Sequence, residues 1–192
     1  MKKLLSKQTV LFRKAAIGKD TGFTLIELLI VVVLISILAA IAAPGWVTFL
    51  NRQRANAARD EVLQAIRVAQ AQAKRTRQAV SVEFNTDVDP PTLTVRNITQ
   101  VVGEGEGDNG LVALSAVDGA GIDLASLTFG SSGNIDIDSV TGLDPEDPDR
   151  PIATITVATP AQGPGSDNPT RRCVVVQTLL GATRLGADDE CE

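Results

Sequence analysis

From Phe23 to Ala43 the chain is apolar at every position except Thr24, Glu27 and Ser36. As a helix this stretch reaches about 31 Å, close to the roughly 30 Å of a bilayer's hydrocarbon core. From Thr48 the pattern changes. Ala55, Ala58, Val62, Ala65, Ile66, Ala69 and Ala73 recur at three- and four-residue steps. That period predicts an amphipathic helix to about Gln78, with a narrow Ala-rich stripe that another surface can approach closely. Pro44-Gly45 lies at the junction. Pro in a helix interior removes one hydrogen bond and clashes with the preceding turn, so a kink or local melting is expected there. Trp46 and Phe49 suit a membrane interface.

After Gln78 the period becomes two. Ala79–Phe84 alternates and reads as a strand, and Leu93–Arg96 follows beyond the Asp89-Pro90-Pro91 break. Further candidate strands are 111–114, 126–129, 134–137, 153–158 and 172–180. Gly130-Ser131-Ser132-Gly133 is a turn signal between two of them. The expected fold is α+β: a long N-terminal helix whose first half crosses a membrane and whose second half packs on an antiparallel β-sheet.

Charge divides the chain in the same places. Residues 1–22 hold six basic side chains against Asp20, residues 52–77 hold seven against two acids, and residues after Gln78 hold five against nineteen. A basic leader followed by an apolar span puts the leader in the cytoplasm and the C-terminal domain outside. The chain has no His, so the commonest general base and zinc ligand is missing. No nucleophile–base motif appears either. The sequence therefore predicts a non-enzyme with no cofactor.

Glu27 does not fit an ordinary anchor. A carboxylate inside a membrane helix is costly and marks a functional site. A conventional signal peptide, with cleavage near Ala39–Ala43, leaves both Glu27 and the Gly22-Phe23 junction without a reason. Gly22-Phe23-Thr24-Leu25-Ile26-Glu27-Leu28-Leu29 resembles the processing site of type IV pilins and type II secretion pseudopilins. The resemblance implies that a prepilin peptidase cuts after Gly22 and that Phe23 becomes the methylated N-terminus. It implies that Glu27 pairs with the Phe23 amine of a neighbouring subunit during assembly. An intrasubunit pair, or a carboxyl held near the headgroups, is the plainer alternative. The implied division is 1–22 cleaved leader, 23–43 transmembrane half-helix, 44–78 amphipathic half-helix and 79–192 extracytoplasmic β-rich domain. Pilin-like helices often carry a Pro near the position of Pro44.

Leu127–Ile135 and Arg172–Val176, followed by Gly181, resemble the GspH/FimT-type minor pseudopilins. That branch implies a minor subunit that starts or tips a pilus-like fibre. The alternatives are a type II secretion pseudopilin and a tip adhesin or DNA-uptake receptor. Implied partners are other pilin or pseudopilin subunits, the prepilin peptidase and the bacterial inner membrane. The domain is expected in the periplasm and then in the fibre.

Three further constellations carry candidate chemistry. Cys173 and Cys191 face an oxidising compartment in this topology and could close a disulfide; free thiols are the alternative. Arg171, Arg172 and Arg184 could form a small nucleic-acid patch. Some FimT-like members bind DNA through a Gly-Arg-x-Arg motif, but here the matching stretch is Gly181-Ala182-Thr183-Arg184, without its first Arg. Acids at 188–190 stand beside these arginines, so DNA binding is not expected. Asp144–Asp149 holds four carboxylates but matches no EF-hand spacing and reads as a solvated loop rather than a metal site. Gly103–Gly110 is a flexible acidic loop, unsuited to phosphate.

Overall fold

The computed structural model describes residues 22–103, 111–140, 150–159 and 169–191. It divides into two compact units, Met1–Ala43 and Pro44–Glu192. Helix α1 spans Leu25–Thr76. Helical backbone continues through Pro44 and Gly45, so the local melting expected there is not observed. One missing rung does not end a helix of 52 residues.

In the first unit, Leu25–Ala42 is long and apolar enough to cross a membrane, and none of it is buried. Thr24 starts the helix. Its Oγ1 accepts from the Glu27 backbone N–H at 3.2 Å, which satisfies one of the orphan donors of the first turn.

In the second unit, every position of the Ala-rich stripe is buried: Ala55, Ala58, Val62, Ala65, Ile66, Ala69 and Ala73. Small side chains let the helix lie close to the sheets beneath it. Arg77 ends the helix in the left-handed region, with φ at 53°. That conformation is usually left to Gly or Asn.

Two antiparallel sheets follow, rather than the single one expected. The first contains β1 (Val80–Asn85), β2 (Thr92–Val95), β3 (Ile98–Val101) and β5 (Ser126–Phe129), in the order β3-β2-β1-β5. The second contains β4 (Ala113–Asp118), β6 (Ala153–Thr159), β7 (Thr170–Val176) and β8 (Thr183–Ala187), in the order β4-β6-β7-β8. Both contribute to one core with α1. Val82, Leu127 and Phe129 come from the first sheet, and Ile155, Val157, Val174 and Val176 from the second. The opposite face of β7 is closed separately by Cys173, Val175 and Cys191.

Two strands differ from the sequence pattern. Residues 134–137 make only an isolated bridge, Phe129 with Ile135. The Asp136 side chain then accepts from the Asp138 N–H, and a 3-10 turn takes Ile137–Ser139. A short polar side chain has here outcompeted the ladder. The run expected over 172–180 stops at Val176; a turn at 178–181 follows, and β8 lies beyond it.

Gln70 fastens the helix to both sheets. Its Nε2 donates to the Gly133 carbonyl at 2.9 Å and to the Leu180 carbonyl at 2.8 Å. Gly133 and Gly181 have φ of 78° and 80°. A Cβ at Gly133 would meet the Lys74 side chain, and one at Gly181 would meet Gln70 Nε2 at 2.5 Å. The two stretches that carry the minor-pseudopilin resemblance thus converge on one helix turn. Their glycines are favoured by the left-handed backbone conformation.

Candidate processing and assembly site

Gly22, Phe23 and Glu27 lie at the exposed start of α1. No neighbouring atom comes within 4 Å of a Cβ built on Gly22. Neither packing nor a left-handed φ requires a glycine there. Phe23 is 82% exposed, so the fold does not bury its ring.

Glu27 sits in the first turn of the helix. A carboxylate there is favoured by the unpaired N–H groups and the positive end of the helix dipole, by about 0.3–1 kcal/mol. Thr24-Leu25-Ile26-Glu27 also has the spacing of a capping box, of which the structure shows the Thr24 half. Thr24 is a residue that hydropathy alone passed over, because it counts as one of three polar interruptions. The capping spacing was the signal that could have found it. Its action gives α1 a fixed start two residues after Phe23, so that Glu27 stands one turn from the new amine if the chain is cut at Gly22.

Pro44 and Gly45 lie inside α1. Trp46 and Phe49, which follow within about one turn, are both exposed, with ring centroids 5.9 Å apart.

Cys173 and Cys191 form a disulfide with Cα atoms 5.6 Å apart. It ties the 3-10 turn Asp188–Cys191 onto β7. The same turn meets the three arginines. Asp188 accepts the Arg171 N–H at 3.2 Å and pairs with Arg172 Nη1 at 3.1 Å. Arg172 Nε also donates to Asn56 Oδ1 at 3.1 Å. Arg184 Nη1 lies 3.2 Å from Glu190 Oε2. Arg184 pairs in register with Val175, so it projects from the face of the second sheet opposite to that of Arg172, and the guanidinium groups of both are set against carboxylates of the same chain. A phosphate backbone would have to displace those acids before reaching them.

The carboxylate-rich segment 144–149 and residues 104–110 lie outside the described residues. Among the described residues no group of three His, Cys, Asp or Glu side chains could hold a metal ion.

Residues 17–43 match the family model described as the prokaryotic N-terminal methylation motif. No curated protein matches the chain. Among solved structures, the chain is similar to the type IV minor pilin FimU of Pseudomonas aeruginosa (strain PAO1), determined in two space groups. The P21 structure matches at 15% identity and a TM-score of 0.46, covering 75% of this chain and 99% of that one. The P65 structure matches at 16% identity and a TM-score of 0.41, covering 71% and 99%. The methylation motif leads directly into a helix of membrane-spanning length, and an α+β domain follows it. What the comparisons show of this chain is a prokaryotic N-terminal methylation motif over residues 17–43.

Proposed function

We propose that this chain is a minor structural subunit of a type IV pilus-like fibre. It is stored in the inner membrane through residues 23–43, with 1–22 in the cytoplasm and 79–192 in the periplasm. Prepilin peptidase cuts after Gly22, Phe23 is methylated, and Glu27 guides entry into the fibre. The chain is a substrate of the peptidase and has no catalytic role of its own.

The observation that supports this best is the Gly22–Glu27 segment, which opens a wholly exposed apolar helix. Cleavage there creates a cationic amine about one turn from a carboxylate. An unpaired charge in hydrocarbon costs several kcal/mol, and pairing it with an amine offsets much of that. A neighbour whose amine meets Glu27 is favoured over one displaced along the helix. Charge pairing then sets register, while apolar contact supplies adhesion.

Replacing Gly22 by Ala and Glu27 by Ala tests the reading. The Gly22→Ala chain is expected to keep its leader, read from the mass of its N-terminal peptide. The Glu27→Ala chain is expected to be cut but absent from sheared fibres. Normal processing and normal incorporation of both variants would overturn the proposal.

A further inference from the structure

The outward face of α1 carries a surface that the core does not use. Val68 is exposed at its centre, between two hollows. One hollow is walled by Val95, Arg96 and Ile98 of the β2–β3 hairpin. The other is walled by Leu63, Arg67 and Leu185, the last from β8. Ile98 is 64% exposed and Leu185 43%. Among the described residues, neither Arg67 nor Arg96 has a hydrogen bond or ion pair. Asp60, at one end of the second hollow, is already paired with Arg59. The result is an aliphatic centre with a cation on each flank, neither paired among the described residues.

The β1–β2 loop presents the reverse pattern. Its Asp87-Val88-Asp89 segment sets an aliphatic side chain between two carboxylates. Val88 is 41% exposed, although the hollow beside it is lined by Val112 and Leu114. Among the described residues Asp87 has no hydrogen bond or ion pair, whereas Asp89 has a contact of its own within the chain. The leading charge pair is therefore Asp87 with Arg67.

We propose that the Asp87-Val88-Asp89 loop of one copy docks on the Arg67–Val68–Arg96 face of a second copy. Val88 meets Val68 and the hollows beside it, and Asp87 meets Arg67. The two patches are different surfaces of one subunit, so the contact is head-to-tail. Such a contact repeats along an open assembly, or a ring if the rotation closes. The apolar part supplies contact area, and the charges choose the partner and the register. The inference rests on the fibre reading for its setting, but its geometry does not depend on leader cleavage.

The test uses the full chain in membranes, with two differently tagged copies carrying Gln64→Cys and Val88→Cys. A short bis-maleimide is expected to join the two tags. Arg67→Asp in the first copy should cut the adduct at least fivefold, and Asp87→Arg in the second should restore it. Three results would overturn the inference. They are an adduct no stronger than either single-cysteine chain gives, an adduct indifferent to Arg67→Asp, and capture of a different subunit in place of the second copy. Leader removal is scored in the same samples. Uncut chains would count against the maturation reading, whereas cut chains without the adduct would count against this contact alone.

Discussion

Leu25–Ala42 and Ala55–Ala73 are both stretches of the same helix, and both are rich in apolar side chains. None of the first is buried, while the second sinks its stripe almost completely. The first is apolar on all sides, so no single surface can cover it; it needs an apolar medium or several neighbours. The second is apolar on one narrow face, which the sheets of its own chain cover. Hydropathy thus separates a helix that requires something outside the chain from one that is complete with it.

The largest effect that tests this contrast comes from Ile66, which is 1% exposed in the shared core. Ile66→Ala is expected to destabilise the full chain in detergent by about 2–5 kcal/mol in denaturant unfolding. Leu34→Ala, in the exposed stretch, should leave that transition unmoved. Equal losses from both would show that the two stretches are one cooperative core.

A second effect lies in the turn that the disulfide holds. The bridge spans 18 positions, a loop for which chain entropy gives about 3 kcal/mol. Replacing Cys173 and Cys191 together by Ser should lower the urea midpoint accordingly. Faster proteolysis is expected first near Asp188–Cys191, where Asp188 and Glu190 lose their fixed place beside Arg172 and Arg184. An unchanged digestion pattern there would remove the disulfide as the tether.

Gln70→Ala comes next. It leaves the Gly133 and Leu180 carbonyls without their helix donor, at about 1–3 kcal/mol where water cannot replace it. Hydrogen exchange should quicken at 130–135 and 178–182 before it changes in β6. Uniform quickening would mean that Gln70 supports the whole core rather than two loops.

The smallest effect has the opposite sign. Arg77 occupies a left-handed conformation that costs about 1 kcal/mol for a residue with a Cβ. Arg77→Gly is expected to raise stability by up to about 1 kcal/mol, less what glycine's unfolded-state freedom takes back. A loss instead would show that the Arg77 side chain stabilises the helix end more than its backbone strains it.

The stripe of α1 was fully legible because each of its residues is placed by its neighbours three and four positions away. The Gly22–Glu27 segment was legible for a similar reason: its spacing is local and lies within one turn. The strands were less so. β3 is short and exposed along most of its length, so Ile98-Thr99-Gln100-Val101 shows no alternation to read. β8 contains Gly186 and a single large apolar residue, Leu185. Both are strands because a partner offers hydrogen bonds, β2 to one and β7 to the other. At Asp136 the opposite happened, and a local side-chain bond defeated a plausible strand.

The sequence by itself determined the helix, its membrane-length apolar half, the buried stripe of the other half and the processing motif, since all of these depend on spacing along a few turns. Only the tertiary structure decided that the strands divide into two sheets, that Gln70 gathers two distant glycine turns, and that Asp188 and Glu190 stand against Arg172 and Arg184. Those arrangements join residues far apart in the chain. Their free energy comes from pairing and burial between such residues, which no local pattern records.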